Sequence, residues 1–317
     1  MSLDDEETGL VDSPIRGIIL ITIAMLVFSV QDVIIRLLSG GYSGFEIVFI
    51  RGLVAIIPIC FFVYMSGGLK TLRMRHPVLN IVRSSLMFFS YLTFYSALAA
   101  MPIAEVTAIF FISPLITTVF SVVFLKEYVG IRRWVAVLAG FAGVLVIVQP
   151  GSDSMNPAAF LPIMAATTYS LSVMTTRRLG PTQNGASLAF YSMMIFIIFS
   201  AIIGISFGDG RFASDAHPSI AFLLREWIIP AQEDLMLLIL CGVVAACGFY
   251  CISQSYRIAP VSTVAPFEYT AMPCAVLWGI VIWNEIPPAT TLIGIAMIIS
   301  SGLYVLHRAS ILKKRTA

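Results

Sequence analysis

PIAEVTAIFFISPLITTVFSVVFLKE, residues 102–127, and PVSTVAPFEYTAMPCAVLWGIVIWNE, residues 260–285, are the two stretches that decide the fold. Each opens on a proline, Pro102 or Pro260, and closes 25 residues later on a glutamate, Glu127 or Glu285. Each also carries an internal proline, Pro114 or Pro273. Proline suits the first turn of a helix, where its missing N–H has no partner to lose. The apolar run behind it is long enough to cross a hydrocarbon core about 30 Å thick. A glycine-bearing apolar stretch follows each glutamate, WVAVLAGFAGVLVIVQPG (134–151) and TLIGIAMIISSGLYVLHR (291–308). The chain therefore reads as internally duplicated.

Apolar runs of helical length recur at 16–38, 44–65, 78–99, 102–125, 134–150, 157–178, 187–207, 235–257, 260–283 and 290–308. Composition explains why so many are tolerated. Hydrophobic residues make up 59% of the 317 and charged residues 11%, against about 25% charged in a soluble domain. Water would not hold such a chain as a compact monomer. The reading is an all-α integral membrane protein of ten transmembrane helices. With five spans per copy, an odd number, the second copy is inverted, so the expected units are two inverted five-helix repeats, 16–150 and 157–308. Short tails flank them at 1–15 and 309–317. Inverted repeats accompany alternating-access transport.

Charge placement orients the chain. Fourteen of the 19 basic residues fall on one side: Arg16, Lys70, Arg73, Arg75, Lys126, Arg132, Arg133, Arg177, Arg178, Arg257, Arg308, Lys313, Lys314 and Arg315. Only Arg211 and Arg225 occupy the opposite loops. Positive charge resists translocation, so both termini are expected in the cytoplasm, the inner (plasma) membrane is the expected location, and 208–234 is external. Within that loop, SIAFLLREWII (219–229) is too short to span. It is either an interfacial helix around Trp227 or a loop packed on the bundle. The N-terminus MSLDDEETGL is acidic, unlike a secretory signal, so the first apolar run reads as a retained span.

Several partners are excluded by pattern. No basic run interleaves with aromatics outside the spans, so nucleic acid is not expected. Cys60, Cys241, Cys247, Cys251 and Cys274 lie in apolar stretches and read as small buried hydrophobes. His76, His217 and His307 lie in loops or at a helix end, so no metal site and no cofactor is expected. No phosphate-binding glycine loop is present.

The residues quoted above resemble the drug/metabolite transporter superfamily, specifically its EamA-type members. The likeness lies in EIVFIRGLVA (46–55), Arg83, SALAAMPIAEVTAIFFISPLITTVFSVVFLKE (96–127) and RRWVAVLAGFAGVLVIVQPG (132–151), and more weakly in 254–306. The resemblance implies two inverted five-helix repeats and a small-molecule substrate such as an amino acid, a vitamin, a nucleotide-linked sugar or a cationic drug. It places Glu127 in the family pattern, with Glu285 as its repeat mate. The second half departs from that pattern: it lacks the RRW signature and carries Glu268 within a span. The expected function is secondary active transport of a small organic metabolite by alternating access, with a coupling proton or counter-substrate as a further partner. A channel or facilitator and a membrane-embedded enzyme are the competing readings. The enzyme reading wants a nucleophile, base or metal cluster at membrane depth, where no histidine lies.

Ionisable groups inside spans cost about 2.5–3.5 kcal/mol each on insertion scales, so they are candidate site residues. Asp32 and Arg36 stand at i, i+4 on the first span and can pair on one face. Glu46 and Arg51 lie five apart, about 140° around the helix, so Arg51 needs a partner from another helix, with Asp32 or Glu105 as candidates. Asp32, Arg36 and Arg51 are expected to cluster in the outer half of the bundle. Arg83 is expected to snorkel to the cytoplasmic interface. Glu105 caps the fourth span or meets substrate. Glu127 and Glu285 read as clamps accepting backbone N–H bonds. Glu268 falls near the membrane midplane behind Pro266, as central ligand or proton site, or else bonded to Tyr250 or Gln254. The repeat sets Phe110 opposite it. Phe94, Tyr95, Phe110, Tyr169, Tyr191, Tyr250, Phe267 and Tyr269 either pack the bundle or line a cavity that stacks on a flat or cationic solute.

Overall fold

The protein is described by a computed structural model covering residues 14–73, 76–125, 130–151, 156–179, 183–213, 217–259 and 264–316. Glu127, Pro260 and the acidic stretch 1–13 lie outside the described residues. Among the described residues twelve α-helices are defined: α1 (Pro14–Leu38), α2 (Gly44–Met65), α3 (Pro77–Leu98), α4 (Ile103–Phe110), α5 (Ser113–Leu125), α6 (Ile131–Val148), α7 (Phe160–Leu179), α8 (Gly185–Phe207), α9 (Pro218–Leu224), α10 (Gln232–Ile258), α11 (Ala271–Trp283) and α12 (Ala289–Thr316). Among the described residues, six helical segments are long and apolar enough to cross a membrane: Ile15–Leu38, Gly44–Met65, Ile103–Phe120, Pro157–Thr176, Gly185–Phe207 and Gln232–Ser255. Shorter apolar helices cover Trp134–Val148, Phe267–Trp283 and Ala289–Tyr304. The exposed faces of these helices carry large hydrophobics such as Ile57, Phe61, Leu138, Ile205 and Leu277. A bilayer accepts that surface; water does not.

Local sequence sets the helix ends. Pro77 and Pro218 occupy first turns. The Asn184 side chain caps α8 by accepting from the Ser187 N–H at 2.8 Å, satisfying one of the orphan donors at a helix start. Asn284 takes the left-handed conformation, φ 54°, and ends α11. The Glu285 N–H then donates back to the Gly279 carbonyl at 3.0 Å, which aims the Glu285 side chain along a fixed path.

Packing pairs helices distant in sequence. α1 runs along α10, α3 along α7, α2 along α8 and α10, and α6 along α12. In the last pair Gly143 and Gly294 bring the backbones so close that a side chain on either would meet the other's carbonyl. Small residues permit such approach in membrane bundles, where close packing drives helix association.

Two expectations change here. The apolar runs 102–125 and 260–283 are not continuous helices. The first breaks at Phe111–Ile112, between α4 and α5. In the second a 3-10 segment, Ala265–Thr270, precedes α11. Pro114 and Pro266 supply the cause: each lacks the N–H donor that would continue an α-ladder through it. The segment 219–229 is helical only to Leu224 and packs on the bundle. Phe222 is buried against Gly44, and Trp227 lies on Phe49, ring centroids 5.6 Å apart.

Candidate functional site

The polar groups of the bundle core gather where α1, α2, α3, α4, α7 and the 265–270 segment meet. Arg51 on α2 is fully buried, at 0% exposure. Its Nη1 donates to Gln31 Oε1 on α1 at 3.0 Å. Gln31 Nε2 donates to the Tyr95 hydroxyl on α3 at 2.8 Å. That hydroxyl donates onward to Asp32 Oδ1 at 2.6 Å. Four side chains thus form one hydrogen-bonded chain, Arg51–Gln31–Tyr95–Asp32, ending on a half-buried carboxylate. The Arg51 guanidinium also lies over the Tyr91 ring, 3.8 Å from its centroid. A ring face stabilises a desolvated cation, so Arg51 is held without direct contact to an acid.

The second acid enters from the other half of the sequence. Glu268, 5% exposed, is carried by the 3-10 segment. Its Oε1 accepts from the Tyr169 hydroxyl on α7 at 3.3 Å. Tyr269 beside it is buried, with its ring 5.4 Å from Phe111 and its hydroxyl against Gly302, a position with no room for a larger residue. An aromatic row joins the two acids. From Tyr95 it runs to Phe94 (5.2 Å between centroids), to Phe110 (5.2 Å) and to Tyr169 (5.4 Å). Asp32 and Glu268 therefore stand at opposite ends of one aromatic strip, and Phe94, Phe110 and Tyr169 along it are half-buried.

The remaining charged residues sit elsewhere. Arg36 does not pair with Asp32. It extends toward the end of α11 and makes a two-pronged contact with Glu285, at 2.7 Å and 2.5 Å, stacked over Trp283 at 4.2 Å. Asp32 and Arg36 share a helix face, but the Tyr95 hydroxyl takes Asp32 inward while Glu285 draws Arg36 outward. The expected cluster of Asp32, Arg36 and Arg51 is thus two separate arrangements. Arg51 is bonded to neither Asp32 nor Glu105, because Gln31 and Tyr95 stand between it and Asp32. Glu285 takes a guanidinium instead of backbone N–H groups. Glu105, in the first turn of α4, accepts from Thr291 Oγ1 on α12 at 3.5 Å, apart from the aromatic strip.

Arg83 does not snorkel. It is 5% exposed and donates from Nε to Thr176 at 2.7 Å and from Nη1 to Ser192 at 3.0 Å and the Leu188 carbonyl at 3.3 Å. Those acceptors tie α3 to α7 and α8. Tyr250 stacks on Phe62, centroids 4.3 Å apart, and a hydroxyl that donates to Glu268 is that of Tyr169. Sequence reasoning missed Gln31 as a bridge. A glutamine beside an acid in an apolar span was the available signal. In the turn after α1, Tyr42 donates to Asp234 Oδ2 at 2.7 Å, and this carboxylate pushes the phenol pKa above its ordinary value.

Comparison with known proteins bears on the whole chain. Residues 15–149 and 156–306 both match the EamA-like transporter family. A protein named S-adenosylmethionine uptake transporter, from Rickettsia prowazekii (strain Madrid E), is 24% identical over 295 residues, 92% of this chain and 93% of that protein. A protein named riboflavin transporter, from Vibrio cholerae serotype O1, is 25% identical over 296 residues, 92% of this chain and 93% of that protein. A crystal structure at 18% identity shares the fold, with a TM-score of 0.65 over 95% of this chain and 98% of the other.

Proposed function

The chain belongs to the EamA-like transporter family, and on that premise we propose that it is a secondary transporter moving a small organic metabolite by alternating access. It is a membrane transporter, not an enzyme. The relatives named for S-adenosylmethionine and for riboflavin support a small-metabolite cargo. The observation that carries the reading is the aromatic strip closed at one end by Asp32 and at the other by Glu268, beside two interrupted helices. Interrupted helices at membrane depth are where transporters place polar sites, because the unwound backbone and the ionisable groups are sheltered from lipid.

The architecture in this proposal is ten spans in two inverted repeats, 16–150 and 157–308, with the tails 1–15 and 309–317 in the cytoplasm of an inner-membrane protein. Two features support it. Helix resumes at Ser113 and Ala271, each 11 residues beyond the opening proline, and both α5 and α11 run 13 residues. The pairing of α1 with α10 is matched by that of α7 with α3, as an exchange of repeats requires. Rocking one repeat against the other exposes the strip to each side in turn, and a proton or a counter-substrate supplies the coupling.

Purified protein in liposomes tests this. Uptake of radiolabelled S-adenosylmethionine and of riboflavin is measured with and without the same compound trapped inside. Saturable uptake of one of them, accelerated by trapped solute, is expected. Flux that does not saturate supports a channel and sinks alternating access.

A further inference from the structure

We propose that the groove between α6 and α12 is a site for one anionic phospholipid, with its phosphate at Arg132 and an acyl chain along the apolar wall. The inference needs the chain to lie in a bilayer and goes beyond the transport reading. The groove has a volume of about 700 Å3. Arg132, in the first turn of α6, and Tyr304 line one end of it, and both are exposed. Ala139, Ile293, Ala296 and Met297 are among the residues along its apolar length. The small side chains of Ala139 and Ala296 leave the space between the two helices open. Just past Ala139 and Ile293 the backbones meet at Gly143 and Gly294, where a Cβ on either would stand 3.0 Å or less from the other's carbonyl. The groove is thus open and charged at one end and closed by a helix crossing at the other.

Length and charge choose the occupant. From Ile293 to Tyr304 is 11 residues of α12, about 16 Å along the axis. That is roughly half of a hydrocarbon core about 30 Å thick, the depth of one leaflet. A helix from a second copy would want a groove running through the whole core. A phospholipid wants a charged end and an apolar length one leaflet deep, and the groove supplies both. Among the described residues no acidic side chain lines it. The ion pairs among them are Arg36–Glu285 and Arg211–Asp209, so Arg132 has no carboxylate partner there. A guanidinium receives phosphate oxygens as a fork. Tyr304 at the same end is the kind of aromatic that sits at headgroup level. A choline or ethanolamine headgroup brings a cation that finds no acid in the groove; a glycerol headgroup does not. In the proposed topology this end faces the cytoplasm, where Arg308, Lys313, Lys314 and Arg315 follow in sequence. Basic pockets between spans on that side suit anionic headgroups.

Photolabelling tests the site. The full chain is placed in phosphatidylcholine nanodiscs with a trace of phosphatidylglycerol carrying a diazirine on its acyl chain, irradiated, and the adducts are mapped by mass spectrometry. Adducts should fall on residues 135–139 and 293–301. Unlabelled phosphatidylglycerol should suppress them about tenfold better than added phosphatidylcholine, the advantage of one hydrogen bond to a charged group. Arg132→Gln should bring the two competitors level. Ala139→Phe, which fills the groove, should remove the adducts there; if it does not fold, Arg132→Gln decides. Equal competition in the wild type, adducts spread evenly over the exposed helix faces, or an unchanged preference in Arg132→Gln overturns the proposal. Cross-links between two copies through α6 and α12 overturn it as well, because the groove would then be a protein interface. Uptake in liposomes is scored separately. Selective labelling without uptake of any solute strikes the transport reading alone, and saturable uptake without lipid preference strikes this proposal alone.

Discussion

Arg36 and Glu285, 249 residues apart in sequence, grip each other through two parallel hydrogen bonds over the face of Trp283. The pair joins the C-terminal end of α1 to the turn after α11, so it links the two halves of the chain. Its side chains are 13% and 30% exposed, dry enough for a fork-to-carboxylate contact to hold. A hydrogen bond to a charged group contributes about 1.5–3 kcal/mol. If the protein alternates between closed and open forms as proposed, removing one partner should shift that balance roughly ten- to a hundredfold. Glu285→Gln should raise the alkylation rate of a cysteine placed at residue 94. The exchange Arg36→Glu with Glu285→Arg should restore the slow rate. Equal labelling in all three proteins would show that the pair does not restrict access to residue 94.

Arg51→Ala and Tyr95→Phe should differ in kind. The first strands Gln31 and removes the cation from the Tyr91 ring, leaving a buried space and an unbalanced Asp32 nearby. Breaking a buried charged network by removing one partner costs about 3–5 kcal/mol, so folded yield should fall several-fold. Tyr95→Phe keeps the ring and its contact with Phe94 but removes the hydroxyl between Gln31 and Asp32. Yield should hold while uptake drops about tenfold. Gel-filtration recovery and uptake, measured side by side, check both. A folded, fully active Arg51→Ala would rule out the network as a support of the bundle.

Arg83 is a clamp in the structure, which predicts a stability effect with little effect on selectivity. Its three hydrogen bonds reach α7 and α8. Interhelical hydrogen bonds in membranes average about 0.6 kcal/mol each, so Arg83→Met should cost about 2 kcal/mol. Its melting temperature should fall by several degrees, while the KM of the variant that remains folded stays within twofold. A large KM change with an unchanged melting temperature would move Arg83 into the substrate path.

What the sequence made legible follows from periodicity and cost. Apolar length, the Pro-to-Glu duplication and the intramembrane charges are one-dimensional signals, and each led to a helix or a polar cluster. Partners across helices are not one-dimensional. Asp32 and Arg36 satisfy the i, i+4 rule, yet Tyr95 and Glu285 outcompete that local contact because they lie within reach once α1 packs against α3 and α11. Arg83 had snorkelling as its cheap local solution. The hydroxyls of Thr176 and Ser192, ordinary polar positions in their own helices, became a pocket only on folding. The breaks in the duplicated spans were signalled by Pro114 and Pro266: Pro114 sits in the first turn of α5, just past the first break, and Pro266 lies inside the 3-10 segment.

Glu268→Gln is the substitution that separates a proton-handling acid from a structural one. Among the groups facing it are Tyr169, which donates to it, and Tyr269 beside it on the same segment. Arg83 lies behind Tyr169. Glutamine keeps the shape and can still accept from Tyr169, so folding should survive with a melting temperature within about 2 °C of wild type. It cannot take up or release a proton. If Glu268 carries the coupling proton, wild-type uptake should vary with pH between 5 and 8. The Gln variant should be slow and flat across the same range, yet still exchange labelled for unlabelled solute when no net proton movement is needed. Uptake and exchange measured from pH 5 to 8 in the same liposomes decide it. A variant that keeps the wild-type pH profile places the proton on another group, with Asp32 at the far end of the strip the next to test.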